Sequence, residues 1–259
     1  MTTATAAPER FDIGRVFSGG FAIVARRPLT FVILGALFAY LPTAATLWLT
    51  TNWLPPPTPG VVDFAATFRR LGIVEAIAIV FGGFSWVMQG SAAAAALSDF
   101  GDKPLGVGEA LSRAAGRLPL VYVMGVLATL GIILGTFPLF VPGVLLSLAW
   151  AVGGVVATVE NTGFKAFGRS MELTRGYRIQ IFLIYVVYGI AGVVVSLAAR
   201  AIGGASLVGG PPLWMSLGVQ PVASAIVQIF SVATLIAVYV ELRGVKEGLA
   251  ASSLASLFD

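Results

Sequence analysis

Six stretches of roughly 20 residues with almost no charge run through the chain, at 29–51, 71–97, 118–136, 141–159, 179–202 and 219–241. A helix needs about 20 apolar residues to cross a hydrocarbon core about 30 Å thick. Inside hydrocarbon every backbone amide and carbonyl must be paired within the chain, which leaves helices and closed barrels. None of the six stretches alternates apolar with polar residues as a barrel strand would. The predicted fold is therefore all-α, a polytopic membrane bundle of six transmembrane helices in three hairpins. Composition agrees: 58% of the residues are apolar and 11% charged, against about 45–50% and 25% in a soluble domain. A soluble core of this length could not hide so much apolar surface, so a soluble globular enzyme is excluded.

The basic residues sort to one side. Arg10, Arg15, Arg26 and Arg27 precede the first stretch, and Lys103, Arg113 and Arg117 lie between the second and third. Lys165, Arg169, Arg175 and Arg178 lie between the fourth and fifth, and Arg243 and Lys246 follow the sixth. Only Arg69, Arg70 and Arg200 fall on the other side. By the positive-inside rule both termini are predicted to be cytoplasmic. The opposite loops carry Trp53, Pro55, Pro138, Pro211 and Trp214, which suit turns and interfacial anchoring. The first stretch starts late and exceeds a signal-peptide apolar region, so no cleaved leader is expected. Arg26–Arg27 reads as the basic flank of an ordinary span rather than a twin-arginine signal.

The basic segments carry a recurring pattern. Ile13, Val16, Phe17, Phe21 and Val24 recur at helical spacing, with Asp12 placed as N-cap. Val107, Ala110, Leu111, Ala114 and Leu118 repeat the stripe, as do Phe164, Phe167, Met171 and Thr174, where Asn161 or Thr162 is placed to cap. Three units, 9–97, 102–159 and 161–242, are read from this, each an amphipathic helix in the headgroup layer followed by two membrane helices. The bland alternative is that any juxtamembrane helix needs one greasy and one basic face. Small residues at four-residue spacing (Gly131 and Gly135, Gly143 and Ser147, Gly192 and Ser196, Gly82 to Ala94) predict close helix packing.

The chain has no Cys and no His, which removes disulfides, thiolate nucleophiles, Cys/His metal sites and imidazole relays. Gly83-Phe84-Ser85-Trp86-Val87 opens like a nucleophile elbow but lacks the closing Gly and any base. No P-loop or paired intramembrane aspartates occur. Asp99 and Asp102 flank a turn read as solvated rather than cation-binding. No enzyme activity, cofactor or metal is expected. Charges at membrane depth are candidates by default, here Glu75 and Arg200, with Gln89 and Gln228 as further intramembrane polar groups. Two readings stay open. Glu75 and Arg200 meet and line a polar pocket, or Glu75 pairs with Arg69 or Arg70 while Arg200 snorkels. On the basic side, Arg169, Glu172 and Arg175 are spaced for an ion-pair ladder, with Glu160 and Arg178 flanking.

The stretch Val141-Pro142-Gly143-Val144-Leu145-Leu146-Ser147-Leu148-Ala149-Trp150 is followed by Val159-Glu160-Asn161-Thr162-Gly163 and by Ala166-Phe167-Gly168-Arg169-Ser170-Met171-Glu172-Leu173-Thr174-Arg175-Gly176. Together they resemble the bacterial family named after the membrane domain of glycerophosphoryl diester phosphodiesterase and its uncharacterised polytopic relatives. The tail Tyr239-Val240-Glu241-Leu242-Arg243-Gly244-Val245-Lys246-Glu247-Gly248 and the opening Phe11-Asp12-Ile13-Gly14-Arg15-Val16 resemble its closing and opening segments. The resemblance implies a six-helix protein of a bacterial inner membrane. The namesake's phosphodiesterase domain uses histidines, which this chain lacks.

Two functions are weighed. One is a non-catalytic accessory, scaffold or membrane-organising protein whose Glu160, Arg169, Glu172, Arg175 and Arg178 contact anionic lipid or a protein partner. The other is a transporter or channel for a lipid or small amphiphile, with a polar path past Glu75, Gln89, Gln228 or Arg200. The net charge of +4 is what topology-setting loops produce, so membrane lipids and a protein partner are expected and nucleic acid is not.

Overall fold

A computed structural model describes residues 10–54, 63–97, 116–136, 140–202 and 214–248. They are helical throughout, and six helical segments are long and apolar enough to cross a membrane: Pro28–Thr50, Phe64–Leu97, Leu118–Thr136, Phe140–Val159, Arg178–Ala199 and Leu217–Glu247. The chain is a multi-pass membrane protein. An even number of crossings puts Arg10 and Gly248 on the same side, here called the terminal face.

Helix α1 (Ile13–Arg26) precedes the first span, which is α2 (Pro28–Gly35), a π turn (Ala36–Tyr40) and α3 (Leu41–Trp53). Helix α4 (Phe64–Leu97) is the second span and α5 (Leu118–Thr136) the third. The fourth is broken into α6 (Phe140–Ala149) and α7 (Gly153–Val159), and the short α8 (Ala166–Thr174) follows. Helix α9 (Arg178–Ile202) is the fifth span; a π turn (Met215–Val219) leads into α10 (Gln220–Glu247), the sixth.

The terminal half of α4 is the axis of the bundle. Every residue from Trp86 to Leu97 is buried, and five of them are the alanines Ala92–Ala96. Side chains this small let α4's neighbours approach its backbone, which is how helices adhere where lipid is as apolar as the helix itself. The closest crossing is with α5: a Cβ on Gly125 would stand 2.8 Å from the Gly83 Cα and 2.8 Å from the Trp86 Cβ. Gly131 and Gly135 seat Trp150 and Gly143 in the same manner. The Gly192–Ser196 seam behaves otherwise, because nothing lies within 4 Å of a Cβ built on Gly192.

Helix α4 has 34 residues, about 50 Å at 1.5 Å per residue and well beyond the hydrocarbon thickness. Since its terminal half is the buried part, the excess lies at the other end and carries Arg69, Arg70 and Glu75 out toward the headgroups. Glu75 is exposed on the outside of the bundle. The carboxylate points away from the bundle interior, and the Arg200 side chain it was expected to meet lies outside the described residues.

Two further expectations change on the terminal side. The fourth span is not one helix. Gly153 N–H turns back to the Trp150 carbonyl at 2.9 Å, so the Ala149 carbonyl loses its helical partner. Ser170 donates to it at 2.8 Å and Thr174 at 3.3 Å, both from α8. This decides which face of α8 is buried. Ala166, Ser170, Leu173 and Thr174 point inward, while Phe164 and Met171 of the predicted stripe are exposed. Phe167 packs between Trp86 and Trp150 at 5.3 and 5.0 Å. Neither Asn161 nor Thr162 supplies a capping side chain.

Asp12 does cap α1, accepting the Arg15 N–H at 3.0 Å. The glycine face of α1 packs along α10. Asp12 and Arg15 meet Glu241, Gly19 meets Ala237, Gly20 meets Thr234, and the Phe21 ring meets Phe230 at 4.9 Å. As α1 advances its partners retreat along α10, so the two helices run antiparallel over about 16 Å. Residues 98–115, with most of the second amphipathic stripe and the Asp99–Asp102 turn, lie outside the described residues. The two basic-side helices that are described seat differently, α1 along α10 and α8 beneath the break in the fourth span.

One added methyl group separates packed from open glycines. We expect Gly125→Ala to lower the melting temperature in detergent by roughly 5 °C, an overpacking loss of about 1–3 kcal/mol that exceeds alanine's better helix propensity. Gly192→Ala should leave the melting temperature unchanged or raise it slightly.

Candidate functional site

The last two turns of α10 gather a cluster of ion pairs on the terminal face. The sequence reading ends the sixth span at Glu241, where charge begins. The helix instead continues to Glu247 and stops on Gly248, whose φ of +67° a side chain would resist. Extending the helix places Tyr239, Arg243 and Glu247 on one stripe at four-residue spacing.

That stripe closes a ring of alternating charges with the fourth span and α8. Arg243 donates to Glu160 at 2.6 Å, and its Nε lies 2.5 Å from Glu247. Arg169 completes the ring, contacting Glu247 through one nitrogen and donating to Glu160 through Nε at 2.9 Å. The Tyr239 hydroxyl donates to Glu160 at 3.1 Å and accepts from Arg243 at 3.0 Å. Two carboxylates and two guanidinium groups thus cancel inside the protein, with side-chain exposures of 13%, 26%, 10% and 27% for Glu160, Glu247, Arg243 and Arg169. Burial works against the Arg169 charge, but the Glu247 and Glu160 carboxylates outweigh it and hold its pKa above the ordinary arginine value.

The other face of α10 holds α1. Glu241 accepts from Arg15 at 2.6 Å and from the Asp12 backbone N–H at 3.0 Å. The Lys246 ammonium reaches the carbonyls of Glu172 and Arg175, which end α8, where a cation meets the negative pole of the helix. One helix terminus therefore fastens α1, the end of the fourth span and α8.

Beside the Glu241–Arg15 pair lies a cavity of about 500 Å³. Arg15, Ser18, Arg26 and Glu241 supply its polar lining, while Ile23, Leu97 and Val240 supply apolar wall.

The residues expected to face lipid divide. Glu160 and Arg169 are brought together, but into the ring and away from solvent. Half of the predicted ladder is present: Arg169 pairs with the exposed Glu172 carboxylate at 3.9 Å while its other nitrogens turn inward to the ring, and no ion pair to Arg175 is found among the described residues. Arg175 is exposed, and Arg178 is half-buried with its Nε covered and unpartnered among the described residues. Of the intramembrane groups, Gln89 is buried against Gly154 with an unpartnered Oε1, and Gln228 lines a separate hollow toward the opposite face. Arg200 belongs to α9, and its side chain is outside the described residues. Arg15, Tyr239, Glu241, Arg243 and Glu247 were missed as site residues. The signal for Tyr239, Arg243 and Glu247 is their four-residue spacing, visible only once the helix is carried past Glu241; nothing in the sequence pairs Arg15 with Glu241.

Among the described residues no group of three or more acidic side chains could hold a metal ion. Comparison with known proteins adds no relative: no family model, no curated protein and no solved structure matches the chain.

Removing one member of the ring leaves its partners charged and part-buried. Glu160→Ala should destabilise the protein by about 2–3 kcal/mol, read as the thermal midpoint in detergent, below the full loss for a fully buried pair because the ring keeps some exposure. Arg243→Ala should do the same, and the double variant should fall short of the sum by at least about 1 kcal/mol.

Acid should act first on α1. The Arg15 and Gly14 backbone N–H groups, helped by the Arg15 charge, hold the Asp12 carboxyl below its ordinary value of 3.8, against a smaller opposing effect of burial. A folded-state pKa lowered in this way gives stability that is present above the ordinary value and lost as pH falls through the lowered one. Amide exchange at the start of α1 should accelerate below about pH 4, and Asp12→Asn should remove most of that pH dependence.

Proposed function

We propose that this chain is a non-catalytic protein of a bacterial inner membrane, an accessory or membrane-organising component that holds anionic lipid headgroups at its terminal face. In this reading that face is cytoplasmic, as the positive-inside distribution expects, and the chain is a relative of the phosphodiesterase membrane-domain family that it resembles. The partners are membrane lipids, with a protein partner in the membrane or cytoplasm as a further contact.

The observation that carries the proposal is the cavity between α1 and α10. It combines Arg26, beside the Arg15–Glu241 ion pair, with an apolar wall of the kind an acyl chain fills. Nearby acids do not oppose an anion there. Glu241 is already engaged by Arg15, and Glu160 and Glu247 are held within the ring. Arg175 and Lys165 add exposed basic groups on the same side. The transporter reading has less behind it, because the terminal half of α4 is buried throughout, its polar Gln89 and Ser91 included, and so leaves no open path from Gln228 to the terminal face along that helix.

A basic residue near an anionic surface contributes about 1 kcal/mol, about fivefold in binding. Purified protein in phosphatidylcholine nanodiscs, titrated with phosphatidylglycerol and read by native mass spectrometry, should retain the anionic lipid preferentially. Arg26→Gln should weaken retention about fivefold, and raising salt should weaken the wild type similarly. Equal retention of both lipids, unaltered by Arg26→Gln or by salt, would overturn the proposal.

A further inference from the structure

A second hollow, of about 340 Å³, lies between the first, second and sixth spans on the side away from the terminal face. Its chemistry differs from that of the terminal cavity: no charged residue lines it, yet Thr43, Thr46, Ser85, Ser224 and Gln228 all do. The Thr46 hydroxyl is committed to the Pro42 carbonyl at 2.8 Å. No hydrogen bond to another described residue engages Thr43, Ser85, Ser224 or Gln228. Gln228 lies 13 residues before Glu241, about 20 Å along the helix and so within hydrocarbon depth. An amide and three hydroxyls left unpartnered at such depth are costly unless something polar enters.

The backbone is shaped for the hollow. The π turn Ala36–Tyr40 widens the first span where Phe38 and Ala39 line it, a distortion that recurs at functional sites. The Tyr40 hydroxyl anchors that turn to the Leu217 carbonyl at 2.8 Å. Ser224 also lines an adjoining groove of about 510 Å³ between α9 and α10, walled by Gly189, Gly192, Val193 and Leu197. Gly189 and Gly192 have no described atom within 4 Å of a built Cβ, so these glycines make room that no described helix fills. A chamber lined by an amide and several hydroxyls joins, at Ser224, a groove walled by glycine and aliphatic side chains together with Ser196, and the pair match a molecule with a polar head and a longer apolar tail.

We infer that this hollow binds the uncharged, hydroxyl-bearing head of a single-chain membrane amphiphile, whose hydrocarbon tail lies in the α9–α10 groove. Thr43, Ser85, Ser224 and Gln228 supply donors and acceptors in both directions, as a polyol head requires, and the absence of lining charge disfavours phosphate or carboxylate heads. The site is separate from the terminal cavity and does not depend on anionic lipid.

The test uses the full chain in phosphatidylcholine nanodiscs, with monooleoylglycerol as probe and oleate as the charged counterpart of equal tail. Saturable binding of monooleoylglycerol, at least tenfold tighter than oleate, is expected. Gln228→Leu should weaken it about tenfold while leaving the melting temperature unchanged or higher, since it removes an unpartnered amide. Ser85→Ala, which alters a different helix, should weaken it in the same direction, and Arg26→Gln should leave it unchanged. Gly192→Phe should abolish binding by filling the groove. Equal binding of probe and oleate, or binding indifferent to both Gln228→Leu and Ser85→Ala, would overturn the assignment. If Gly192→Phe leaves probe binding intact and instead splits an oligomer, the groove belongs to a second copy of the chain and the tail assignment falls.

Discussion

Hydrocarbon gives a backbone carbonyl nothing to bond with, and the Ala149 carbonyl shows what the chain does about that. Breaking the fourth span at Trp150–Val152 strands this oxygen, and the hydroxyls of Ser170 and Thr174 come in to satisfy it. Because both sit on α8, the repair fixes where α8 lies. With α8 placed, Arg169 is carried to Glu160, and through them the terminal stripe of α10 is drawn into the ring. A single backbone group thus sets the geometry of the charged face.

The ring illustrates why charge at a membrane boundary is arranged rather than merely tolerated. Isolated, each of Glu160, Arg169, Arg243 and Glu247 would be a part-buried ion at the edge of a medium that solvates ions poorly. In alternating order each has two opposite neighbours, and Tyr239 adds a neutral bridge between Glu160 and Arg243. The arrangement fastens elements distant in sequence, since Glu160 and Arg243 are 83 residues apart. It also leaves the remaining basic residues of that face, among them Arg175 and Lys165, without competition from these acids.

The six spans were legible because a long uncharged run has only one low-energy solution in a bilayer. The close crossings at Gly82, Gly131 and Gly135 were legible as spacing, whereas the Gly83–Gly125 contact was not, and the same spacing at Gly192 misled, because an open groove and a packed seam both favour small residues. Three things were hidden. Hydropathy cannot mark the break at Ala149–Gly153, since every residue there is apolar and the cause lies in Ser170 and Thr174. The run of Glu241, Arg243, Lys246 and Glu247 looks like the end of a span, whereas partners contributed by α1, α7 and α8 allow the helix to carry charge further. The amphipathic pattern of α1 indicates a helix with two faces but not what covers the apolar one; Gly19 and Gly20, which let α10 approach, decide that.

The two ends of the bundle are built to different standards, and that difference bears on where binding can occur. Toward the terminal face α4 is sealed by alanine, the glycine crossings bring backbones into contact, and the ring clamps three elements to α10. A ligand entering there would have to break ion pairs, except at the margin where α1 leaves a cavity beside Arg26. Toward the opposite face the first span carries a π turn, the sixth begins with another, and the fifth presents glycines that no described atom covers. Rearrangement is easier in that half, because few packed contacts resist it and unpartnered polar groups gain when something polar arrives. A charged clamp at one end therefore lets the other be more loosely packed without loss of the fold.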